Sequence, residues 1–149
     1  MLAVIQRVKG AWVEVEGKKV AEIKNGILVL VGVDKEDSIE DSKVLAKKIV
    51  YLRIFEDKYR KMNLSLKEIN GEVLIVSQFT LLGDCRKGRR PSFDRAAEVH
   101  KAKALYKEFV SEIASEGIPI ATGIFGAKMS VHIINDGPVT FILDSKELR

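Results

Sequence analysis

The chain has 149 residues, 46% hydrophobic and 31% charged, with a net charge of +4, a composition that fits one globular domain and excludes an intrinsically disordered chain. No apolar run approaches the length of about eighteen residues that a membrane span needs; the longest, Ile27–Val33 and Val73–Val76, are strand-sized. One cysteine, Cys85, and two histidines exclude a disulfide framework or a multi-cysteine zinc site and supply a metal centre poorly.

The first ten residues, MLAVIQRVKG, lack the long apolar core and cleavage site of a secretory signal, so a reducing cytoplasm is the expected compartment. Leu2–Val8 and Trp12–Glu16 read as two strands around Lys9-Gly10. Val20–Ile23 and Ile27–Val33 follow as a hairpin turning near Asn25-Gly26. From Asp37 to about Leu52, Ile39, Leu45, Ile49 and Leu52 recur near one helical face, and Ser38 with Asp41 resembles a capping box. A polar loop carrying Tyr59, Met62 and Asn63 comes next, and Asn70-Gly71 punctuates the chain before the β-branched run Glu72–Phe79. A basic loop with Pro91 precedes a second helix, predicted over Asp94–Glu116, where Leu105, Phe109 and Ile113 share a face and Gly117 stands at the C-terminal cap. Met129, Val131 and Ile133 alternate as a strand that Asn135-Asp136-Gly137-Pro138 breaks, and Val139–Leu143 supplies the last one. This order predicts an α/β fold over residues 1–149: a single layered domain of mixed, largely antiparallel β-sheets, a β/β/α sandwich with two main helices. Neither a Walker loop nor a dinucleotide fingerprint is present.

Charge is unevenly placed. Arg86–Lys103 carries a net +5 and the remainder −1, with Asp84 just outside that window. Arg86, Lys87, Arg89 and Arg90 head the segment, as a polyanion-binding surface would require, although charge alone equally describes a solvated loop and helix face.

Two segments place polar or special-backbone residues at the ends of hydrophobic strands. Ser77-Gln78-Phe79-Thr80-Leu81 ends the Val73–Val76 run, and a strand end can gather hydroxyl, amide and backbone N–H groups into an oxyanion pocket; it can also merely satisfy local backbone groups. No base for Thr80 is visible, since nothing in the sequence ties His100 or His132 to it. In Asn135–Thr140 the Gly137-Pro138 pair could present two carbonyl oxygens as a rigid reader, although most such pairs are only turns.

Together, SQFTL at Ser77–Leu81 and NDGPVT at Asn135–Thr140 resemble the signature segments of the D-aminoacyl-tRNA deacylase family. Colinear support comes from Ile5–Val8, Lys61-Met62-Asn63, Arg90-Pro91-Ser92-Phe93, and Phe125-Gly126-Ala127 with Met129. The resemblance implies a carboxylic ester hydrolase that frees D-amino acids, and in many members glycine from alanine tRNA, from the 3′-terminal adenosine of tRNA. It implies a cytoplasmic homodimer that needs neither metal nor cofactor and does not associate with membranes, with active sites at the subunit interface. Gly137 and Pro138, joined by a cis bond, would enter the partner's pocket opposite Ser77, Gln78, Phe79 and Thr80. Phe125 and Met129 are candidates for holding the adenine, or core residues, and Arg86, Lys87, Arg89 and Arg90 would hold phosphates. Two carbonyls set against the α-carbon leave room for hydrogen but not for an L side chain, so rejection is steric and glycine passes. For hydrolysis, attack by Thr80 competes with water activated by the RNA 2′-hydroxyl and an oxyanion held by N–H groups around Phe79 and Thr80; the missing base favours the second.

Overall fold

A computed structural model describes residues 1–148. Strand β1 is one continuous element, Leu2–Val15, and Lys9-Gly10 does not divide it. Its first half pairs antiparallel with β3 (Gly26–Gly32) and its second half with β2 (Lys18–Ile23), while its other edge carries β8 (Ser130–Asp144). Lys9-Gly10 is thus the point where β1 changes partner, not a turn. β6 (Glu72–Ser77) joins β3 in parallel, and a short strand absent from the sequence reading, β7 (Ile120–Thr122), joins β6 in parallel. The sheet is therefore mixed, with parallel pairing confined to one side. A two-stranded hairpin, β4 (Phe55–Glu56) with β5 (Met62–Leu64), stands apart from it.

Two helices cover one face. Helix α1, Ile39–Tyr51, starts at a capping box in which Ser38 N–H donates to Asp41 Oδ2 at 2.7 Å. It buries Leu45, Ala46, Ile49 and Val50 against Phe109, Ile113, Ile27 and Ile75 in the larger of two apolar clusters. A smaller cluster of Val8, Ala11, Val13, Ile23, Leu28, Leu74 and Val76 fills the opposite side. Both faces of β3 and β6 are thus buried, which explains their near-unbroken apolar runs.

Helix α2 spans Val99–Ser115 and not Asp94–Glu116. The preceding residues are held by β3's continuation: Lys35 N–H donates to Arg95 O at 2.8 Å and Ala97 N–H to Val33 O at 2.9 Å. Those groups cannot also serve a helix, so α2 begins once Glu98 caps the N–H groups of His100 and Lys101. The Met1 ammonium closes the fold from beneath, donating to Asp37 Oδ1 at 2.6 Å and Ser145 Oγ at 2.7 Å.

Candidate active site

β6 stops at Ser77. Gln78 N–H makes a last bond to Val31 O at 2.8 Å, and Phe79–Leu82 then coils into a 3-10 turn, so the predicted strand to Phe79 ends two residues early. Gly32 permits this turn. A β-carbon there would lie 2.5 Å from Leu82 Cδ2 and 2.8 Å from Gln78 O. Leu81 N–H donates to Gln78 O, while the first N–H groups of such a turn, those of Phe79 and Thr80, find no acceptor within it.

Ser77, Gln78 and Phe79 line a cleft of about 670 Å³ with Phe125, Gly126, Ala127 and Met129. The fourth wall is the start of α2: Val99, Ala102 and Lys103. Phe79 is exposed and meets Phe93 edge-on at 5.1 Å between ring centroids, and Phe125 leans on Tyr106 at 5.5 Å. Burial pushes the Tyr106 hydroxyl up to about 12, and it donates to Ile75 O at 3.2 Å beneath the cleft. Met129 owes its place to Gly123, where a β-carbon would lie 2.7 Å from the Met129 sulfur. Thr80 is exposed and does not line the cleft, and its Oγ1 accepts a hydrogen bond from the Gln78 side-chain amide.

Gly137 and Pro138 lie elsewhere. Along β8 the pairing with β1 jumps from Gln6↔Thr140 to Val8↔Asn135, so Asp136–Val139 bulge out opposite Arg7 alone. The strand is bent there and not broken. The Gly137-Pro138 bond is cis, Gly137 has φ 144°, and both residues are exposed. Asn135 locks the bulge from one side: its Oδ1 accepts Val139 N–H at 2.8 Å and its amide donates to Thr140 Oγ1 at 3.2 Å. Arg7 locks the other, donating from Nε to Asp136 O at 3.0 Å and from Nη1 to Ile54 O at 2.8 Å. Arg7 pairs with Ile27 and Gln78 bonds Val31; at ~3.3 Å per residue the bulge sits roughly 13 Å along the sheet from the chain's own cleft. One chain therefore does not bring the two signature segments together.

The basic loop is a hairpin-like excursion closed by Asp84 and Ser92. Arg86 is committed within it, donating to both carboxylate oxygens of Asp84 at 2.9 and 2.7 Å and holding that carboxyl down at about 2. Lys87, Arg89 and Arg90 are exposed and enter no ion pair among the described residues. Cys85 is exposed beside them. His132 stacks on Trp12, its cross-strand partner, at 4.7 Å between ring centroids. Among the described residues no group of three His, Cys, Asp or Glu side chains could hold a metal ion, and no helix is long and apolar enough to cross a membrane.

Sequence reasoning gave no role to Arg7, Gly32, Gly123 or Val99, and read Lys103 only as the end of the basic segment. For Arg7 a signal existed: a charged residue in an otherwise apolar strand, here only 5% exposed, implies a fixed partner. For the glycines none did, because the close approach is made by residues remote in sequence.

Residues 4–144 match the D-Tyr-tRNA(Tyr) deacylase family. A relative from Thermosipho africanus described as a D-aminoacyl-tRNA deacylase is 62% identical over 148 residues, 99% of each chain. Among solved structures, one described as a c-Myc DNA unwinding element binding protein superposes with a TM-score of 0.91 at 41% identity, covering 97% of this chain and 98% of that one. A probable eukaryotic D-amino acid tRNA deacylase shares the fold with a TM-score of 0.82 at 20% identity, over 96% and 98%. The chain therefore belongs to the D-Tyr-tRNA(Tyr) deacylase family and is a hydrolase.

Proposed function

We propose that this chain cleaves the ester joining a D-amino acid, or glycine on alanine tRNA, to the 3′-terminal adenosine of tRNA, and that it works as a homodimer. The observation that carries the reading is the paired arrangement just described: a largely apolar cleft edged by Ser77–Phe79, and an exposed, doubly clamped cis Gly137-Pro138 too distant to serve it within one chain. A second copy supplies the missing half. Ile134, Phe141 and Ile142, exposed on β8 beside the bulge, are apolar surface suited to that contact.

In the assembled site the Gly137 and Pro138 carbonyls stand against the substrate α-carbon. Hydrogen fits there and an L side chain does not, so D-esters and glycine react and L-esters are refused. Phe125 and Met129 hold the adenine, and Lys87, Arg89 and Arg90 the acceptor-stem phosphates, with Arg86 orienting the loop through Asp84. The Phe79 and Thr80 N–H groups stabilise the oxyanion. Water attacks with help from the adenosine 2′-hydroxyl. Attack is assigned to water and not to Thr80, because no base is hydrogen-bonded to the Thr80 hydroxyl among the described residues.

The test compares D-tyrosyl-, L-tyrosyl- and glycyl-tRNA, and a D-tyrosyl-tRNA ending in 2′-deoxyadenosine. Fast cleavage of the D- and glycyl-esters is expected, with the L-ester and the deoxy substrate left nearly intact. Equal rates on the two enantiomers would overturn the steric filter; full-rate cleavage of the deoxy substrate, or a trapped Thr80 acyl-enzyme, would overturn the RNA-assisted route.

A further inference from the structure

We propose that the tip of the β4–β5 hairpin, Lys58-Tyr59-Arg60-Lys61, is a second RNA-binding element, one that meets the tRNA held in the partner's cleft. The proposal rests on the tRNA substrate and trans arrangement assigned above, but it concerns a surface outside the cleft.

The tip is built to turn positive charge outward. Its single acid, Asp57, is spent on the turn itself: Oδ1 accepts Tyr59 N–H at 2.8 Å and Lys61 N–H at 3.1 Å. Lys61 N–H, ahead of Tyr59 N–H, holds that carboxyl below its usual range, so the charge stays inside the turn as its scaffold. Backbone bonds from Asp57 N–H to Lys61 O and from Arg60 N–H to Asp57 O close the loop at 2.8 and 3.0 Å. Lys58, Arg60 and Lys61 are all exposed. Between them Tyr59 is 70% exposed, more than any other aromatic residue described. Lys58 Nζ lies 5.1 Å from the ring centroid, and no other side chain stacks on it. An exposed ring among three cations is what a base stack with flanking phosphates requires. Arg60 also has φ 61°, a left-handed conformation in which glycine would carry no penalty, so the cation is displayed at some backbone cost.

Placement selects RNA as the partner. The Arg7 guanidinium bonds both Ile54 O at the hairpin's base and Asp136 O in the Gly137-Pro138 bulge, and lies 3.6 Å from Glu56 of β4. Hairpin and bulge are therefore one unit. Wherever the bulge docks, the tip arrives beside it. A bulge inserted into the partner's cleft brings the tip alongside the RNA whose 3′ end occupies that cleft. Each bound tRNA is then flanked by the Lys87–Arg90 loop of one protomer and the hairpin tip of the other.

The experiment uses the full chain carrying Lys58→Ala with Arg60→Gly, and separately Tyr59→Ala. Arg60→Gly removes charge while relaxing the backbone, so the fold is retained. Binding of uncharged tRNA is measured against salt, and kcat/KM on D-tyrosyl-tRNA and on D-tyrosyl-adenosine, which lacks the acceptor stem. The double variant should lower the slope of log affinity on log salt by about 1.5. Tyr59→Ala should weaken tRNA binding roughly 5- to 100-fold. Both should leave D-tyrosyl-adenosine cleavage unchanged. Wild-type slope and affinity in the variants would overturn the proposal, as would equal losses on both esters. A wild-type protein inert on both esters overturns the deacylase reading instead, and the binding curves still decide the hairpin's role.

Discussion

Gly32→Ala tests whether the 3-10 turn that carries Phe79 and Thr80 is set by contact with β3. The added β-carbon would stand 2.8 Å from Gln78 O, and ordinary contact begins at 3.4 Å, so the carbonyl must retreat about 0.6 Å. The second contact, Leu82 Cδ2 at 2.5 Å, is on a flexible side chain, but Leu82 is fully buried and has little room to swing. Overpacking of this kind costs about 1–3 kcal/mol, which for a chain of this size lowers Tm by roughly 2–12 °C. The larger effect falls on turnover. A retreat of that size moves the N–H groups proposed to hold the oxyanion, and a shift on the order of half an ångström costs roughly tenfold in kcat. Single-turnover deacylation of D-tyrosyl-tRNA, with thermal melting of the same sample, reads both quantities. Gly10→Ala is the control, because a β-carbon there meets only ordinary contacts at 3.6 and 3.9 Å; it should melt and turn over like the parent. A Gly32→Ala protein with wild-type kcat would refute the claim that this glycine sets the site.

Three further outcomes follow from particular contacts. Gly137→Ala places a β-carbon 2.6 Å from Val139 Cγ2 and 3.0 Å from Val139 N at a φ of 144°, so D-ester cleavage should fall more than tenfold with the helical circular dichroism signal unchanged; cleavage within twofold of wild type would show that the bulge does not form the reader. Tyr106→Phe removes a buried hydrogen bond to Ile75 O and should cost about 1 kcal/mol, a Tm drop of roughly 2–4 °C, with turnover preserved; an unchanged melting temperature counts against that bond. Burial opposes ionisation of Asp41, but Ser38 N–H, the Ser145 and Ser38 hydroxyls and the Met1 ammonium outweigh it and hold the carboxyl at about 2, against 3.8 in the unfolded chain. The folded state thus gains on the order of 2 kcal/mol above pH 4, lost as pH falls from 4 towards 2. In Asp41→Asn that part of the acid slope should vanish, as denaturant titration at stepped pH would show.

Much of the molecule was legible without coordinates. Helix α1 was readable because its cap and apolar face are local: Ser38 and Asp41 bond each other, and Leu45 and Ile49 recur at helical spacing. Ser77–Thr80 and Phe125 with Met129 were legible as motifs, and the fold brings Ser77, Gln78, Phe79, Phe125 and Met129 into one cleft. The start of α2 is not legible in the sequence because Arg95 O and Ala97 N–H bond residues 33–35, some sixty positions away. Lys9-Gly10 looked like a turn, yet β1 runs through it because β8 supplies continuous pairing on the other edge. The bond from Arg86 to its neighbour Asp84 is a local pairing that the charge count does not show.

The amino-acid sequence by itself determined what is local or periodic: the alternating strands, the capped helix and two short segments that resemble a family's signatures, but not the Asn25-Gly26 hairpin, since β2 and β3 pair with β1 and not with each other. Tertiary structure alone decided where those segments lie. Arg7 gathers a hairpin base and a bulge that are 82 residues apart, between Ile54 and Asp136, and Gly32 admits a turn from across the sheet. Such placements depend on long-range hydrogen bonds and excluded volume, which no stretch of neighbouring residues encodes on its own.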